Sequence, residues 1–114
     1  MAGKVSVVFA TGGVRGKYPL NVISGKPTDA CIDQTATGSS VTCKNAGASA
    51  IVAASGDVAM VINHGTADTD DIRIDFGPAA DVDAASSTAH IVPAGSIPYF
   101  FGVEAGDVAA IKTK

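Results

Sequence analysis

Val58–Asn63 reads VAMVIN, Asp71–Gly77 reads DIRIDFG, and His90–Lys114 reads HIVPAGSIPYFFGVEAGDVAAIKTK. Short apolar runs alternate here with turn residues, and no apolar stripe repeats at helical spacing. In the middle run, Arg73 and Asp75 separate Ile72, Ile74 and Phe76 in strict alternation. Successive side chains of a strand point to opposite faces, so this is the pattern of a half-buried strand. This half of the chain therefore predicts strands at Val58–Asn63, Asp71–Phe76, Ala89–Val92, Ile97–Val103 and Val108–Lys112.

The N-terminal half continues the pattern. Strands are expected at Lys4–Ala10 and at Tyr18–Ser24, where Pro19 marks a strand start or an edge. A short pairing is expected at Ala30–Ile32, with further strands at Val41–Lys44 and Ala50–Ala54 around the turn Asn45-Ala46-Gly47. Ala79–Ala89 is dense in alanine but lacks a 3.6-residue period. Pro78 and Pro93 bracket it, which leaves room for one helical turn at most. Eight or nine short strands at intervals of about ten residues predict an all-β fold, an antiparallel β-sandwich. Gly56-Asp57-Val58-Ala59 recurs as Gly106-Asp107-Val108-Ala109. Nothing else around the two copies matches, so they read as two strands that begin alike rather than as a repeat.

A chain of 114 residues fits one domain, residues 1–114, with one modest core. Apolar residues make up 46 % of it, yet aromatics only 5 % and Trp is absent. Its apolar content is therefore Ala, Val and Ile, which suit thin, closely packed sheets. A charged fraction of 17 % and a mean hydropathy of +0.30 suggest that other subunits cover part of the apolar surface. The net charge of −3 and pI near 5.0 argue against nucleic-acid binding, which needs a basic face for phosphates. No apolar run reaches the ~20 residues of a membrane span. The run Val5–Ala10 contains Ser6 and is too short for a signal sequence, so it reads as a first strand.

No constellation for catalysis stands out, and no enzyme activity is expected. Ser86, Ser87 and His90 lie near Asp81 and Asp83, but no G-x-S-x-G elbow is present. Gly12–Lys17 departs from the phosphate-loop spacing and no helix follows it. Asp68, Asp70 and Asp71 form an acidic run without the glycine and distant glutamate of a calcium loop, so a solvated loop is expected and no metal is assigned. Cys31 and Cys43 are twelve positions apart. They could be bridged if their Cα atoms lie within ~7 Å, although reduced thiols are the default without an export signal. No cofactor is expected. Candidate interface residues are Arg15, Lys17 and Tyr18, which combine positive charge with an amphipathic aromatic, and Tyr99 and Phe101 of the only aromatic run. In a strand, Phe100 points away from both of its neighbours.

The motifs Asn63-x-Gly65, Ile72-x-Ile74-x-Phe76-Gly77, Ile91-Val92-Pro93-Ala94-Gly95 and Val108-Ala109-Ala110-Ile111 resemble those of small virion proteins of tailed bacteriophages. The resemblance covers roughly the C-terminal half. Within that group, length and composition look most like capsid decoration, or cement, proteins. The resemblance implies a jelly-roll-like sandwich made in the bacterial host cytoplasm and carried in the virion. It implies a homo-oligomer, dimer or trimer, that binds the major capsid protein. A tail or fibre component acting as a receptor- or carbohydrate-binding module is the alternative. Sugar platforms usually expose Trp or Tyr, and this chain has only Tyr18 and Tyr99.

Overall fold

The computed structural model describes residues 4–13, 22–23 and 27–114. Among the described residues nine strands follow in chain order: β1 (Lys4–Gly13), β2 (Val22–Ile23), β3 (Asp29–Thr35), β4 (Val41–Thr42), β5 (Asp57–Asn63), β6 (Ile72–Gly77), β7 (His90–Val92), β8 (Pro98–Gly102) and β9 (Val108–Thr113). A single 3₁₀ turn, Asp68–Asp70, precedes β6. All pairings are antiparallel. One sheet runs β2-β1-β5-β8 with β3 also on β1, and the other runs β4-β9-β6-β7. The two sheets make a β-sandwich, as the strand pattern predicts.

The core is the inner face of each sheet. Val5, Val7 and Phe9 of β1, Cys31 of β3, and Ala59 and Val61 of β5 meet Ile72 and Ile74 of β6, Val92 of β7, and Ala109 and Ile111 of β9. The alternation in β6 works as expected: Ile72 and Ile74 are fully buried while Arg73 and Asp75 face outward. Phe9, Phe76 and Phe101 stack in sequence, with ring centroids 6.2 and 5.4 Å apart. Such tilted pairs add to the area that each ring buries.

The segment Ala50–Ala54 forms no strand, contrary to the expectation. Its burial does alternate, with Ile51 and Ala53 inward and Val52 and Ala54 outward. Its backbone makes one isolated antiparallel bridge, Ala50 with Lys44, and no ladder. Ile51 N–H donates to the Cys43 carbonyl, and Ala53 N–H donates to the Asp107 carbonyl. The segment thus has the side-chain period of a strand without a ladder. Part of the expected Tyr18–Ser24 strand, residues 18–21 and 24, lies outside the described residues; Val22–Ile23 pair with β1.

The echoed Gly-Asp sequences make the same turn twice. In each, the glycine has a left-handed backbone, with φ of 84° at Gly56 and 90° at Gly106. The following aspartate carboxylate accepts the N–H three residues back, Ala54 for Asp57 and Glu104 for Asp107. The two turns also touch, because Gly106 N–H donates to the Ala53 carbonyl. One turn chemistry thus starts a central strand in each sheet and ties the two starts together.

The sheets differ on their outer faces. That of β4-β9-β6-β7 carries Arg73, Asp75 and Lys112, and the loop after Pro78 folds onto it. Arg73 donates to the Ser86 carbonyl, Asp75 accepts the Asp83 N–H, and Ala84, fully buried, donates its N–H to Ser40 Oγ. The outer face of the other sheet carries a different set of side chains.

Candidate functional site

In the first sheet β5 is apolar on both faces from Val58 to Ile62, and β1 is so from Val7 to Ala10. The outward positions align by register into three rows: Ala30–Val8–Met60–Phe100, Ser6–Ile62–Pro98, and Ala10–Val58–Gly102. No charged side chain interrupts them. Val8, Ala30, Val58, Met60 and Ile62 are partly exposed, and Phe100 is 41 % exposed at the sheet edge. Ile32 and Ile97 nearby are more exposed still. A continuous apolar run in a strand is the composition of one covered on both faces. VAMVIN is such a run, yet its Val58, Met60 and Ile62 remain in part uncovered.

The aromatic candidates fall on both sides of this sheet. Tyr99 and Phe101 turn inward and pack against the core, and the Phe101 ring lies 4.9 Å from that of His90. Phe100 is the member that faces out. Alternation alone could not say which set faced the core, because the run has an aromatic at every position. Arg15, Lys17 and Tyr18 lie outside the described residues.

A Ser-His-Asp cluster sits where the apolar face ends. The pairing of β1 with β3 shifts between Val5 and Val7. Ile32 and Asp33 therefore stand together opposite Ser6, with Asp33 at a left-handed φ of 53°. Asp33 N–H donates to Ser6 Oγ at 3.1 Å, His64 Nε2 lies 2.9 Å from the same Oγ, and Asp33 Oδ1 lies 3.4 Å from that Nε2. In a hydrolase the acid and the serine meet opposite nitrogens of the imidazole, so that one orients the base and the other gives it a proton. Here both meet Nε2. Asp33 is therefore not placed to orient the ring from Nδ1 while Nε2 faces the serine. The cluster is suited to fixing the bulge, not to activating a nucleophile. Sequence offered no signal for it, since a bulge brings together residues 27 to 58 positions apart.

The other polar candidates have structural partners. Asp70 Oδ2 accepts the N–H groups of Thr66 and Ala67, and Asp71 Oδ1 accepts that of Ala94. These carboxylates hold turns, and among the described residues no acidic, histidine or cysteine group is arranged to hold a metal. Ser86 Oγ bonds Thr88 Oγ1, while His90 stacks on Phe101.

Cys31 and Cys43 are free thiols, both fully buried in the core. The Cys43 thiol hydrogen-bonds to the Cys31 sulfur, which holds Cys31 below the ordinary thiol range. That bond, together with burial, pushes Cys43 well above it. Cys31 Sγ also meets Gln34 Oε1 at 3.1 Å.

No protein-family model, no curated protein and no solved structure matches this chain.

Proposed function

We propose that this chain is a structural assembly protein: a capsid decoration protein of a tailed bacteriophage that acts as a homo-oligomer on a shell of major capsid protein. One observation carries the assembly part, the charge-free outer face of Val8, Ala30, Met60, Ile62 and Phe100. A partly uncovered apolar face of this kind suits contact with another protein surface. Many copies on one lattice need only a modest contact each, because simultaneous contacts raise the effective affinity.

The virion part rests on the sequence resemblance. Its Asn63-x-Gly65 and Pro93-Ala94-Gly95 turns touch: Gly95 N–H donates to the Gly65 carbonyl and Ser96 N–H to that of Asn63. Wiring supports a jelly-roll-like form of the sandwich. After β3, every connection except β6–β7 passes from one sheet to the other, as suits a double-sheet roll.

The test is direct. Purified protein should elute as a dimer or trimer by light scattering and should co-sediment with capsid shells that lack it. Met60→Asp should abolish both while leaving the fold intact by circular dichroism. A folded wild-type monomer without affinity for any shell would overturn the reading.

A further inference from the structure

We propose that Cys31 and Cys43 form a disulfide-competent pair, a modification site that staples the two sheets when the protein meets a disulfide oxidant of the glutathione class. The geometry carries it. Cys31 sits on β3, opposite Val7 of β1, in the first sheet. Cys43 follows β4, and its N–H donates to the Ala109 carbonyl of β9 in the second. Both side chains are fully buried in the one core cluster between the sheets. Gln34 clamps the pair from one side: its Oε1 meets both Cys31 Sγ and the Lys44 N–H, and its Nε2 donates to the Thr42 carbonyl. The residues before and after Cys43 are thus held on the same carboxamide that touches Cys31.

Access runs through the clamp. A hollow of about 330 Å³ is lined by Gln34, Thr35, Thr37, Val41, Thr42 and Lys44. Of this lining, Gln34 is the residue whose carboxamide contacts Cys31 Sγ. When that side chain swings out, Cys31 is the first sulfur reached. It is also the better nucleophile, since the Cys43 proton favours its thiolate.

The chemistry balances with one oxidant molecule. The Cys31 thiolate attacks a sulfur of oxidised glutathione, forming a mixed disulfide and releasing one glutathione thiolate, which takes up a proton. The Cys43 thiol gives its proton to solvent and attacks Cys31 Sγ, expelling the second glutathione. The protein loses two protons and two electrons, and one glutathione disulfide takes them up to become two thiols.

The experiment is refolding of the full chain in glutathione redox buffer, followed by intact mass and thiol titration in denaturant. The expected product is a monomeric chain two hydrogen atoms lighter with no titratable thiol. Its melting temperature should be about 10 °C higher, because a bridge closing a short loop restricts the unfolded chain, and dithiothreitol should reverse the rise. Gln34→Ala should speed the same conversion of already folded protein. Retention of both thiols after oxidative refolding would overturn the proposal, as would a lasting glutathione adduct or a bridge between chains. A melting temperature of Cys43→Ala that responds to oxidant as the wild type does would also overturn it.

Discussion

The carboxamide oxygen of Asn63 accepts the N–H of Gly65 at 3.0 Å, and both residues are buried. The other end of the same side chain donates to the carbonyls of Asp70 and Val92. One amide thereby joins the end of β5, the 3₁₀ turn and β7 in the opposite sheet. Gly65 is required because a Cβ there would collide with Asp70 Cβ. Asn63→Ala leaves a buried N–H and two carbonyls short of a partner, and should destabilise the protein by about 3 kcal/mol. Gly65→Ala forces the turn from Asp70 and should cost about 2 kcal/mol. Urea unfolding followed by circular dichroism measures both, and a loss under half of these values would refute the account.

The two Gly-Asp turns share hydrogen bonds but not burial. Asp57 is 4 % exposed and also accepts Thr28 Oγ1 at 3.0 Å, whereas Asp107 is only half-buried. Removing the carboxylate should therefore matter more in the first turn. Asp57→Ala should lose about 2–3 kcal/mol and Asp107→Ala about 1 kcal/mol. Gly56→Ala and Gly106→Ala should each lose about 1–2 kcal/mol, since both glycines are left-handed. Thermal melts of the four variants check the order. Equal losses for the two aspartates would show that burial does not set their weight.

Ladder strands were legible because their side-chain period and their bounding turns agree. VAMVIN, DIRIDFG and VAAIKT each become a strand within a residue or so of the expected ends. Ala50–Ala54 has the same period but makes only an isolated bridge, Ala50 with Lys44, and period records burial, not pairing. The candidate interface was legible only in part. The run Tyr99-Phe100-Phe101 marks a strand with two apolar faces, but which face is inward depends on its register with β5. The bulge at Ile32–Asp33 left no mark, since one unpaired residue changes no composition.

Ser6 tests the chemical reading of its cluster. The Asp33 carboxylate lies at His64 Nε2, on the same side of the ring as Ser6, rather than at Nδ1 as in a hydrolase triad, and Ser6 Oγ already accepts from Asp33 N–H. A fluorophosphonate probe should leave the folded protein unlabelled, as judged by intact mass. His64→Gln, which can still donate to Ser6 Oγ, should keep most of the stability. Labelling at Ser6 that disappears in His64→Gln would establish an activated serine and sink this account.

Phe100 and Phe101 separate assembly from folding, because neighbouring residues of β8 face opposite ways. Phe101 packs on Phe76 and His90, so Phe101→Ala should lower stability by about 2–3 kcal/mol. Phe100 ends the outer apolar row beside Met60 and contributes little to the core. Phe100→Ala should shift the melting temperature of the isolated subunit by no more than about 3 °C, the scale of a surface change. On the assembly reading, that same substitution should weaken self-association and shell binding at least tenfold, since exposed aromatics commonly anchor interfaces. Sedimentation velocity over a concentration series measures the first effect and co-sedimentation the second. If Phe100→Ala associated as the wild type does, the outer face of this sheet would not be the contact surface.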